Sequence, residues 1–298
     1  MKNYAKQTEI LFLWDCENSN PNGDILRDNA PRYDDIAHRA LVSDVRIKRT
    51  IRDDLYDRKG QEIFVRETEH ESGTGINDGK TRVTDVGGKD NVIDTIINKC
   101  IDVRAFGGVF PVDKKSYNLT GSLQFKMTKS LHQVSEPMYI KGTGAFASKP
   151  KAENKTFREE YILPYALFAT YGVVNALNSE KTNFSNEDVK EVLDSLWSGT
   201  KNLITRSKMG QLPRFMLKIT YKQKGFFIGE LDNRIKLEIK GATENEIRSS
   251  EDYEIDLSSI ITLLEKYNDK IETIEYMVDD TFEDKIAVES NWTLLSLD

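Results

Sequence analysis

The feature that most constrains the fold of this chain is a nearly continuous apolar run at residues 8–15, TEILFLWD. Its length and its aromatic and β-branched side chains are typical of a strand that is buried on both faces at the centre of a sheet. Further periodic segments follow along the chain. Strands are predicted at residues 8–15, 116–133, 161–178, 214–222, 225–231, 235–239 and 271–278, and helices at residues 43–55, 92–100, 185–203 and 257–267.

With insertions left aside, these segments predict the order strand, helix, strand, strand, helix, strand. That order defines the split βαβ, ferredoxin-like fold, which RNA-recognition domains share with proteins of many other functions. The expected fold class is therefore α+β, with a core like that of the RNA-recognition motif.

The first predicted helix has one buried side. Ile47, Ile51 and Leu55 recur every four residues and form an apolar stripe. Ser43 precedes this stripe at the position of an N-cap. A short amphipathic helix is therefore predicted to pack against the sheet.

The same helix begins with three cations, Arg46, Lys48 and Arg49. The positive end of the helix dipole disfavours cations there unless an anion lies nearby. The pairs Asp44–Lys48 and Arg49–Asp53 at i, i+4 favour an ordinary solvated face instead.

The loop before this helix changes that balance. Residues 20–23, NPNG, combine a rigid turn with an unobstructed glycine backbone. Such a loop presents N–H groups to an anion beside the basic start of the helix. The loop and the helix together predict a phosphate backbone as the ligand.

The composition of the 298 residues, with 38% hydrophobic and 31% charged residues, is that of a folded globular protein. The apolar runs fall well short of the roughly 20 residues of a membrane span, and the first run is too short for a signal peptide. Cys16 and Cys100 have no metal-ligand spacing around them. We expect a cytoplasmic protein without a cofactor.

The net charge of −7 is unevenly distributed. From residue 230 to residue 298, Asp and Glu outnumber Lys and Arg by 19 to 7, so the preceding residues carry a net charge of +5. The basic part suits a polyanion, and the acidic part suits solvent or a basic neighbouring subunit.

Two polar segments interrupt the periodic pattern. Residues 57–91 are glycine-rich and weakly patterned, which predicts an exposed insertion with too little apolar surface to pack on its own. Residues 138–158 hold small residues and an excess of cations between strand-like flanks. This composition predicts a β-hairpin that protrudes from the sheet.

Two further segments each allow a structural and a functional interpretation. Arg104, Phe106 and Gly107 fall in a predicted tight loop, which is either a helix end with a glycine cap and a buried ring, or a guanidinium and a stacking ring beside accessible backbone. The alternation in residues 122–128 predicts an apolar face that includes Met127 and a polar, basic face. The polar face is either a solvated surface or a nucleic-acid platform.

Acidic residues near the first loop leave an enzymatic interpretation open. Carboxylates beside a bound phosphate can hold Mg²⁺ for hydrolysis, so a metal-dependent endoribonuclease is the alternative to a binding protein. The acids lack regular spacing, and zinc, GxSxG and P-loop motifs are absent, so we expect no catalysis. A purely structural interaction protein is a third interpretation. The acids are Asp15, Glu17, Asp24, Asp28, Asp34 and Asp35.

Several short motifs together resemble the backbone subunit of the CRISPR-associated Cascade complex, the seventh Cas family, and in particular its type I-B branch. They occur in the expected order across roughly three quarters of the chain. The motifs are NPNGD at 20–24, PR at 31–32, VSDVRIKR at 42–49, RAFG at 104–107, LPYAL at 163–167 and NLITRSK at 202–208.

The resemblance implies a hand-shaped protein whose copies stack head to tail along a CRISPR guide RNA in an antiviral surveillance complex. The guide then pairs with target DNA, and other Cascade subunits join the filament. An RNA-recognition-like palm with an acidic C-terminal extension is expected at residues 1–56, 112–137 and 159–298, fingers at 57–111 and a thumb hairpin at 138–158.

A subunit that holds any guide sequence should contact phosphate and sugar and leave the base edges free. Cations suit the phosphates, glycines suit close approach of the backbone, and the polar strand face suits the palm surface. The residues predicted to bind RNA are Asn20, Asn22, Gly23, Arg46, Lys48, Arg49, Arg52, Arg104, Phe106, Gly107, Ser122, Gln124, Lys126, Lys141, Lys149 and Arg158.

Overall fold

The chain forms a mixed α+β structure around one large sheet. The computed structural model describes residues 3–69, 75–88, 90–112, 115–147, 155–241 and 243–297. The helices in these ranges are α1 (Asp44–Asp57), α2 (Gly79–Gly87), α3 (Val92–Lys99), α4 (Ile101–Phe106), α5 (Ala176–Thr182), α6 (Asn186–Lys201) and α7 (Ser258–Lys266). The strands are β1 (Thr8–Ser19), β2 (Gly23–Asp24), β3 (Ala30–Pro31), β4 (Tyr33–Asp34), β5 (Arg39–Val42), β6 (Gly107–Val112), β7 (Lys115–Thr120), β8 (Leu123–Phe125), β9 (Thr128–Ser130), β10 (Met138–Ala147), β11 (Lys155–Val174), β12 (Gln211–Tyr221), β13 (Lys236–Ile239), β14 (Tyr253–Asp256), β15 (Ile271–Val278) and β16 (Thr293–Leu294).

Strand β1 occupies the middle of the sheet, as its apolar run predicts. It pairs antiparallel with β11 on one side and with β12 on the other. Among the described residues the sheet runs in the order β16–β15–β12–β1–β11–β9–β5–β4, and β8 and β10 also pair with β11. The β15–β16 pair is parallel, and the other pairs along this order are antiparallel.

Both faces of the central strands are covered by other parts of the chain. Ile10, Phe12 and Trp14 point to one face and belong to a core that includes apolar side chains of α1 and α6. Leu11 and Leu13 point to the other face and belong to a core built with the C-terminal strands and α7. Because side chains alternate along a strand, a strand covered on both faces must be apolar throughout.

The predicted helix starts at α1 and α6 are confirmed. The Ser43 hydroxyl accepts a hydrogen bond from the backbone N–H of Arg46, and Ile47, Ile51 and Leu55 are buried. In α6, Ser185 and Asp188 form a reciprocal capping box. None of the described helices has the length and apolar character needed to cross a membrane.

The prediction of a strand at residues 225–231 is wrong. Backbone N–H groups of Ile228 and Gly229 donate to the buried carboxylate of Glu9, each at 2.8 Å. The same carboxylate accepts the hydroxyl groups of Tyr171 and Tyr221. The Glu9 side chain of β1 therefore accepts the backbone N–H hydrogen bonds of this segment that a neighbouring strand would otherwise accept.

The described part of residues 57–91 packs against elements from further along the chain and does not form a core by itself. Helix α2 buries Val83 and Val86 in a separate small core with Phe64, Ile96 and Phe110. The partners of these few apolar side chains belong to α3 and β6, further along the chain. The sequence of residues 57–91 alone therefore does not show this packing. The predicted helix at residues 92–100 is confirmed as α3.

Candidate nucleic-acid interface

The asparagines of the first loop make hydrogen bonds within the chain. The Asn22 Oδ1 atom accepts from the backbone N–H of Ser43 at 2.8 Å, which ties the loop to the start of α1. The Asn20 Nδ2 atom donates to the carbonyl oxygen of Asn29 at 2.7 Å. A Cβ atom on Gly23 would lie 2.0 Å from Asn29 Oδ1, so the close approach at this glycine is within the loop itself. Asn22 thereby positions the start of α1, and direct RNA contacts from these three residues stay a prediction.

Arg46 and Lys208 form a cationic pair without an ion-paired carboxylate among the described residues. The Lys208 Nζ atom donates to the carbonyl oxygen of Asn20 at 2.6 Å, and the Arg46 guanidinium donates to the Thr50 hydroxyl. Burial lowers the pKa of Arg46 to about 10. Burial, with the nearby positive charge of Arg46, lowers the pKa of Lys208 to about 8. Neither side chain makes an ion pair with a carboxylate in the described part of the chain, so the two charges repel each other in a partly dehydrated site.

Polar atoms without partners lie on the elements around the cationic pair. Gln211 and Arg46 line the same small cavity, and the Gln211 Nε2 atom is buried without a hydrogen-bond partner. The Asn20 Oδ1 and Ser19 Oγ atoms are buried without partners as well. Buried polar atoms are normally satisfied. The Gln211 Nε2 atom and the Arg46 guanidinium are both N–H donors on this cavity, which suits an anionic oxygen, whereas Asn20 Oδ1 is an acceptor and does not add to that donor set.

Lys48 and Arg49 extend the positive surface along α1. The Lys48 Nζ atom donates to Asp44 at 3.0 Å and to the exposed Gln124 at 2.8 Å. Arg49 is exposed and pairs with Asp53 at 2.6 Å. The predicted i, i+4 pairs are thus confirmed, and Gln124 joins the predicted strand face to the helix.

Arg52 and Phe106 lie inside the structure. The Arg52 Nε atom donates to the fully buried carboxylate of Asp102 at 3.0 Å. Asp102 also accepts from the backbone N–H groups of Phe64 and Val65, at 2.8 and 3.1 Å. The Phe106 ring is 7% exposed and lies 5.1 Å from the Arg52 guanidinium carbon. This corrects the interpretation of Phe106 as an accessible stacking ring, and both residues stabilise the junction of α1 with α4.

Arg104 and Gly107 also have internal roles. Arg104 makes a two-pronged ion pair with Asp188 at the start of α6, with distances of 2.7 and 2.9 Å. Gly107 ends α4 with a φ of 77°, and a Cβ atom there would lie 2.1 Å from the Leu119 carbonyl oxygen. The structural interpretation of this segment, a helix end with a glycine cap and a buried ring, is the one the structure shows.

The predicted alternation across residues 122–128 is wrong at both ends. Ser122 is buried, and its hydroxyl lies 2.8 Å from that of Thr182. Strand β8 ends at Phe125, so the alternation shifts and Met127 is exposed. Lys126 is exposed and pairs with Asp232 at 2.7 Å. These side chains do not form one continuous polar face.

The predicted hairpin is present in the described residues, where β10 pairs antiparallel with β11. Lys141 pairs across its two strands with Glu159 at 2.9 Å. Lys149 lies outside the described residues. Direct RNA contacts from this hairpin stay a prediction.

The base of the hairpin contacts a basic turn at residues 205–210. None of the residues predicted to bind RNA lies in this turn. Glu160 bridges Arg158 and Arg206, with distances of 2.6 and 2.7 Å. Arg206 and Lys208 belong to the turn of residues 205–210. The run of cations in the NLITRSK motif was the available signal, but the sequence alone did not place this turn beside Arg46.

The acids near the first loop have other partners. Asp15 is buried and accepts from Arg214 at 2.8 Å and from the Tyr165 hydroxyl at 2.9 Å. Burial raises the pKa of Asp15, and the charge of Arg214 opposes that rise. Asp35 pairs with Arg27 at 2.8 Å. Within the described ranges, no three His, Cys, Asp or Glu side chains are grouped so that they could hold a metal ion.

Comparison with known proteins defines the family. The sequence model described as CRISPR-associated protein Cas7 matches residues 6–258. The chain belongs to the Cas7 family. A curated relative named CRISPR-associated protein Cas7, from Haloferax volcanii, is 29% identical over 324 aligned positions, which cover 97% of this chain and 93% of the relative. The resemblance of the sequence motifs to this family is therefore confirmed.

Solved structures share the fold of this Cas7 protein. A chain of a structure titled "CRISPR RNA-guided surveillance complex, pre-nicking" has a TM-score of 0.62 at 11% identity, covering 97% of this chain and 96% of the other. A chain of a second structure, titled "CRISPR RNA-guided surveillance complex", has a TM-score of 0.55 at 15% identity, with coverages of 97% and 94%.

Proposed function

We propose that this Cas7 protein is the repeated subunit that binds the backbone of a CRISPR guide RNA in a Cascade-like surveillance complex. It grips ribose and phosphate without reading the sequence and leaves the bases to pair with target DNA. The family membership and the fold similarity support this role.

The observation that carries the proposal is the cationic pair of Arg46 and Lys208. Two partly buried charges without a carboxylate partner lower the stability of the folded chain, and a phosphate placed between them removes their repulsion. The exposed Arg49 and the Lys48 side chain continue this surface along α1. Glu160 links the base of the β10–β11 hairpin to the turn that carries Lys208.

The arrangement of the sheet supports the hand-like assignment. The order β12–β1–β11–β9, with α1 and α6 against one face, supports the predicted βαββαβ core. We assign the palm with its acidic extension to residues 1–56, 112–137 and 159–298, the fingers to 57–111 and the thumb to 138–158. In this palm the second sheet face is covered by the C-terminal part, so the guide RNA binds beside α1 and away from the sheet face.

The further parts of the proposal rest on the motif resemblance. They are assembly with other copies and other Cascade subunits, placement in the type I-B branch, and action in the cytoplasm without a catalytic step. The alternative is a metal-dependent endoribonuclease acting on target RNA through acidic residues of the first loop. Against it, Asp24 and Asp34 cap turns, Asp35 pairs with Arg27, and Asp15 is buried against Arg214.

The test is charge reversal at the cationic pair. The variant R46E/K208E should bind single-stranded RNA on the order of 100-fold more weakly, since two charge-assisted contacts to phosphate are lost. The loss should be equal for two RNAs of unrelated sequence, and the salt dependence of the affinity should become shallower. Fluorescence anisotropy at several salt concentrations measures both quantities.

Lys236→Glu is the matched control, since Lys236 is an exposed lysine on β13, far along the chain from α1. Its single reversal should leave RNA affinity nearly unchanged, and the same holds for a K236E/K266E double variant with the same total charge as R46E/K208E. An equal loss in the control would mean that net charge alone decides binding. A loss confined to one RNA sequence would contradict backbone recognition.

A further inference from the structure

The C-terminal part of the chain forms a pocket with an apolar floor and an acidic rim. Its volume is about 170 Å³. Leu264 of α7 and Trp292 form the floor and are 3% and 7% exposed, whereas Glu265 and Glu289 line the pocket as exposed side chains. Every lining residue follows residue 258, where the match to the Cas7 sequence model ends. The pocket therefore lies outside the part of the chain that this model matches.

The chain does not neutralise the negative charge of this pocket. The lining contains two glutamates and no cation, a charge of −2. Neither Glu265 nor Glu289 makes an ion pair within the described ranges. Lys266 and Lys270, which follow on the chain, lie over aromatic rings instead, at 5.4 and 4.4 Å from the ring centroids. Glu265 also stands in the last turn of α7, where the helix dipole adds negative potential. The pocket is therefore suited to a cation.

Trp292 adds a second, independent feature. Its indole N–H donates no hydrogen bond in the described part of the chain, whereas the indole N–H of Trp14 donates to the Thr170 hydroxyl at 2.9 Å. An indole that is mostly buried usually has an acceptor for this group. An acceptor atom on a bound ligand would satisfy the Trp292 indole.

These features together define the chemistry of the ligand. It needs a cation for the carboxylates, an aliphatic stem for the apolar floor and a hydrogen-bond acceptor for the indole. A lysine within a peptide has all of these, in its ammonium group, its methylene stem and its backbone carbonyl groups. RNA lacks the cation, and the two carboxylates repel its phosphates. We propose that this pocket binds a lysine side chain presented by a basic segment of a partner protein.

A titration without RNA tests the pocket directly. The probe is N-acetyl-lysine methylamide, added to the full ¹⁵N-labelled chain and followed by NMR. The expected result is a saturable shift of the indole N–H signal of Trp292, with the indole signal of the buried Trp14 unchanged. No shift at Trp292 would overturn the inference.

Two related compounds separate the contributions of the probe. N-acetyl-norleucine methylamide lacks the ammonium group, and n-butylamine keeps the ammonium and the stem but lacks the carbonyl groups. Each should bind at least about fivefold more weakly than the lysine compound, since each loses one charge-assisted or neutral hydrogen-bonded contact. Equal binding of the norleucine compound would contradict a cation site. Equal binding of n-butylamine would place a free amine in the pocket and overturn the assignment to a protein partner.

Substitution of the rim provides the matched protein variants. The double variant Glu265→Gln, Glu289→Gln should bind the lysine compound about tenfold more weakly and the norleucine compound equally well. Glu238→Gln is the control, because Glu238 is an exposed glutamate on β13 that does not line the pocket, and it should change neither affinity. Equal losses in the double variant and the control would overturn the inference.

Trp292→Phe tests the indole N–H while keeping an aromatic ring. The variant should lose the preference for the lysine compound over n-butylamine and keep the preference for the lysine compound over the norleucine compound, measured at the backbone amide of Asn291. An unchanged preference over n-butylamine would contradict the role of the indole. The glutamine variant alters exposed side chains only, so it decides the inference if Trp292→Phe does not fold. The pocket shares no residue with the cationic pair of Arg46 and Lys208, so a failure of RNA binding would leave this inference standing.

Discussion

Helix α1 carries two sets of cations that differ in whether a carboxylate accompanies them. At the first turn, Arg46 lies beside Lys208, and neither makes an ion pair with a carboxylate of the described residues. Two turns later, Arg52 is paired with the fully buried Asp102. Both regions are basic in sequence and partly buried. Arg52 has its carboxylate partner, whereas Arg46 and Lys208 have none among the described residues.

The difference shows that one helix carries both a cation that stabilises the fold and a cation that is available to a ligand. A buried arginine with its own carboxylate holds elements together, and removing either partner leaves an unpaired charge. A cation without a carboxylate lowers stability and gains an interaction when an external anion arrives. Substitutions in the two regions should therefore change different measured quantities, and in opposite directions for stability.

The largest effect is expected at the paired region. Asp102→Ala should lower the free energy of unfolding by about 3–5 kcal/mol, because Arg52 and the N–H groups of Phe64 and Val65 lose their shared acceptor. Denaturation with urea, followed by circular dichroism, measures this loss.

Arg46→Ala is the contrasting variant for the same experiment. Its free energy of unfolding should stay the same or rise, because Arg46 has no carboxylate to leave behind and its removal relieves the repulsion on Lys208. A loss of stability at Arg46 as large as that at Asp102 would mean that the two regions do not differ in the way described.

The elements of the fold follow from local patterns more completely than the site does. The apolar run of β1, the stripe and cap of α1 and the helical span of α6 depend on neighbours in sequence, and each prediction is confirmed. The segment at 225–231 depends on the distant carboxylate of Glu9, and the core around α2 depends on residues of α3 and β6. Neither partner is visible in a local pattern.

Partners that are distant in sequence also explain why the roles of the site residues were not predicted. The sequence indicated Arg46 from the helix start, but the role of each cation depends on what stands opposite it. Arg104 faces Asp188, which is 84 positions away, and Lys208 reaches the loop at Asn20 across 188 positions. The number of arginines in a segment does not show which of them has a carboxylate partner in the folded chain. The pairing follows from the tertiary fold.

A smaller effect is expected from pH, because burial and Arg46 hold the pKa of Lys208 at about 8. Below that pH Lys208 is charged in both the folded and the unfolded chain, and the cost of burying the charge is fully present. Between about 8 and the ~10.4 of an unfolded lysine, the folded chain loses its proton first, so the free energy of unfolding rises with pH. RNA affinity should fall about tenfold from pH 7 to pH 9, since the neutral amine no longer pairs with phosphate.

Lys208→Met is the control for this titration. The variant should bind RNA weakly and with little dependence on pH over the same interval, when the RNA contains only adenine and cytosine and so does not titrate there. Equal pH dependence in the variant and the unaltered chain would assign the effect to a group other than Lys208.

The smallest effect is expected at the exposed pair of Arg49 and Asp53, which lies between the two regions on α1. Asp53→Asn should lower the free energy of unfolding by only about 0.3–0.5 kcal/mol, because solvent screens an exposed i, i+4 pair. The same change releases Arg49 from its carboxylate and should strengthen RNA binding by about twofold, measured by anisotropy at low salt. A weaker affinity in this variant would show that Asp53 helps to orient Arg49 toward the phosphate. Arg49 would then belong with the paired cations of the helix and not with Arg46.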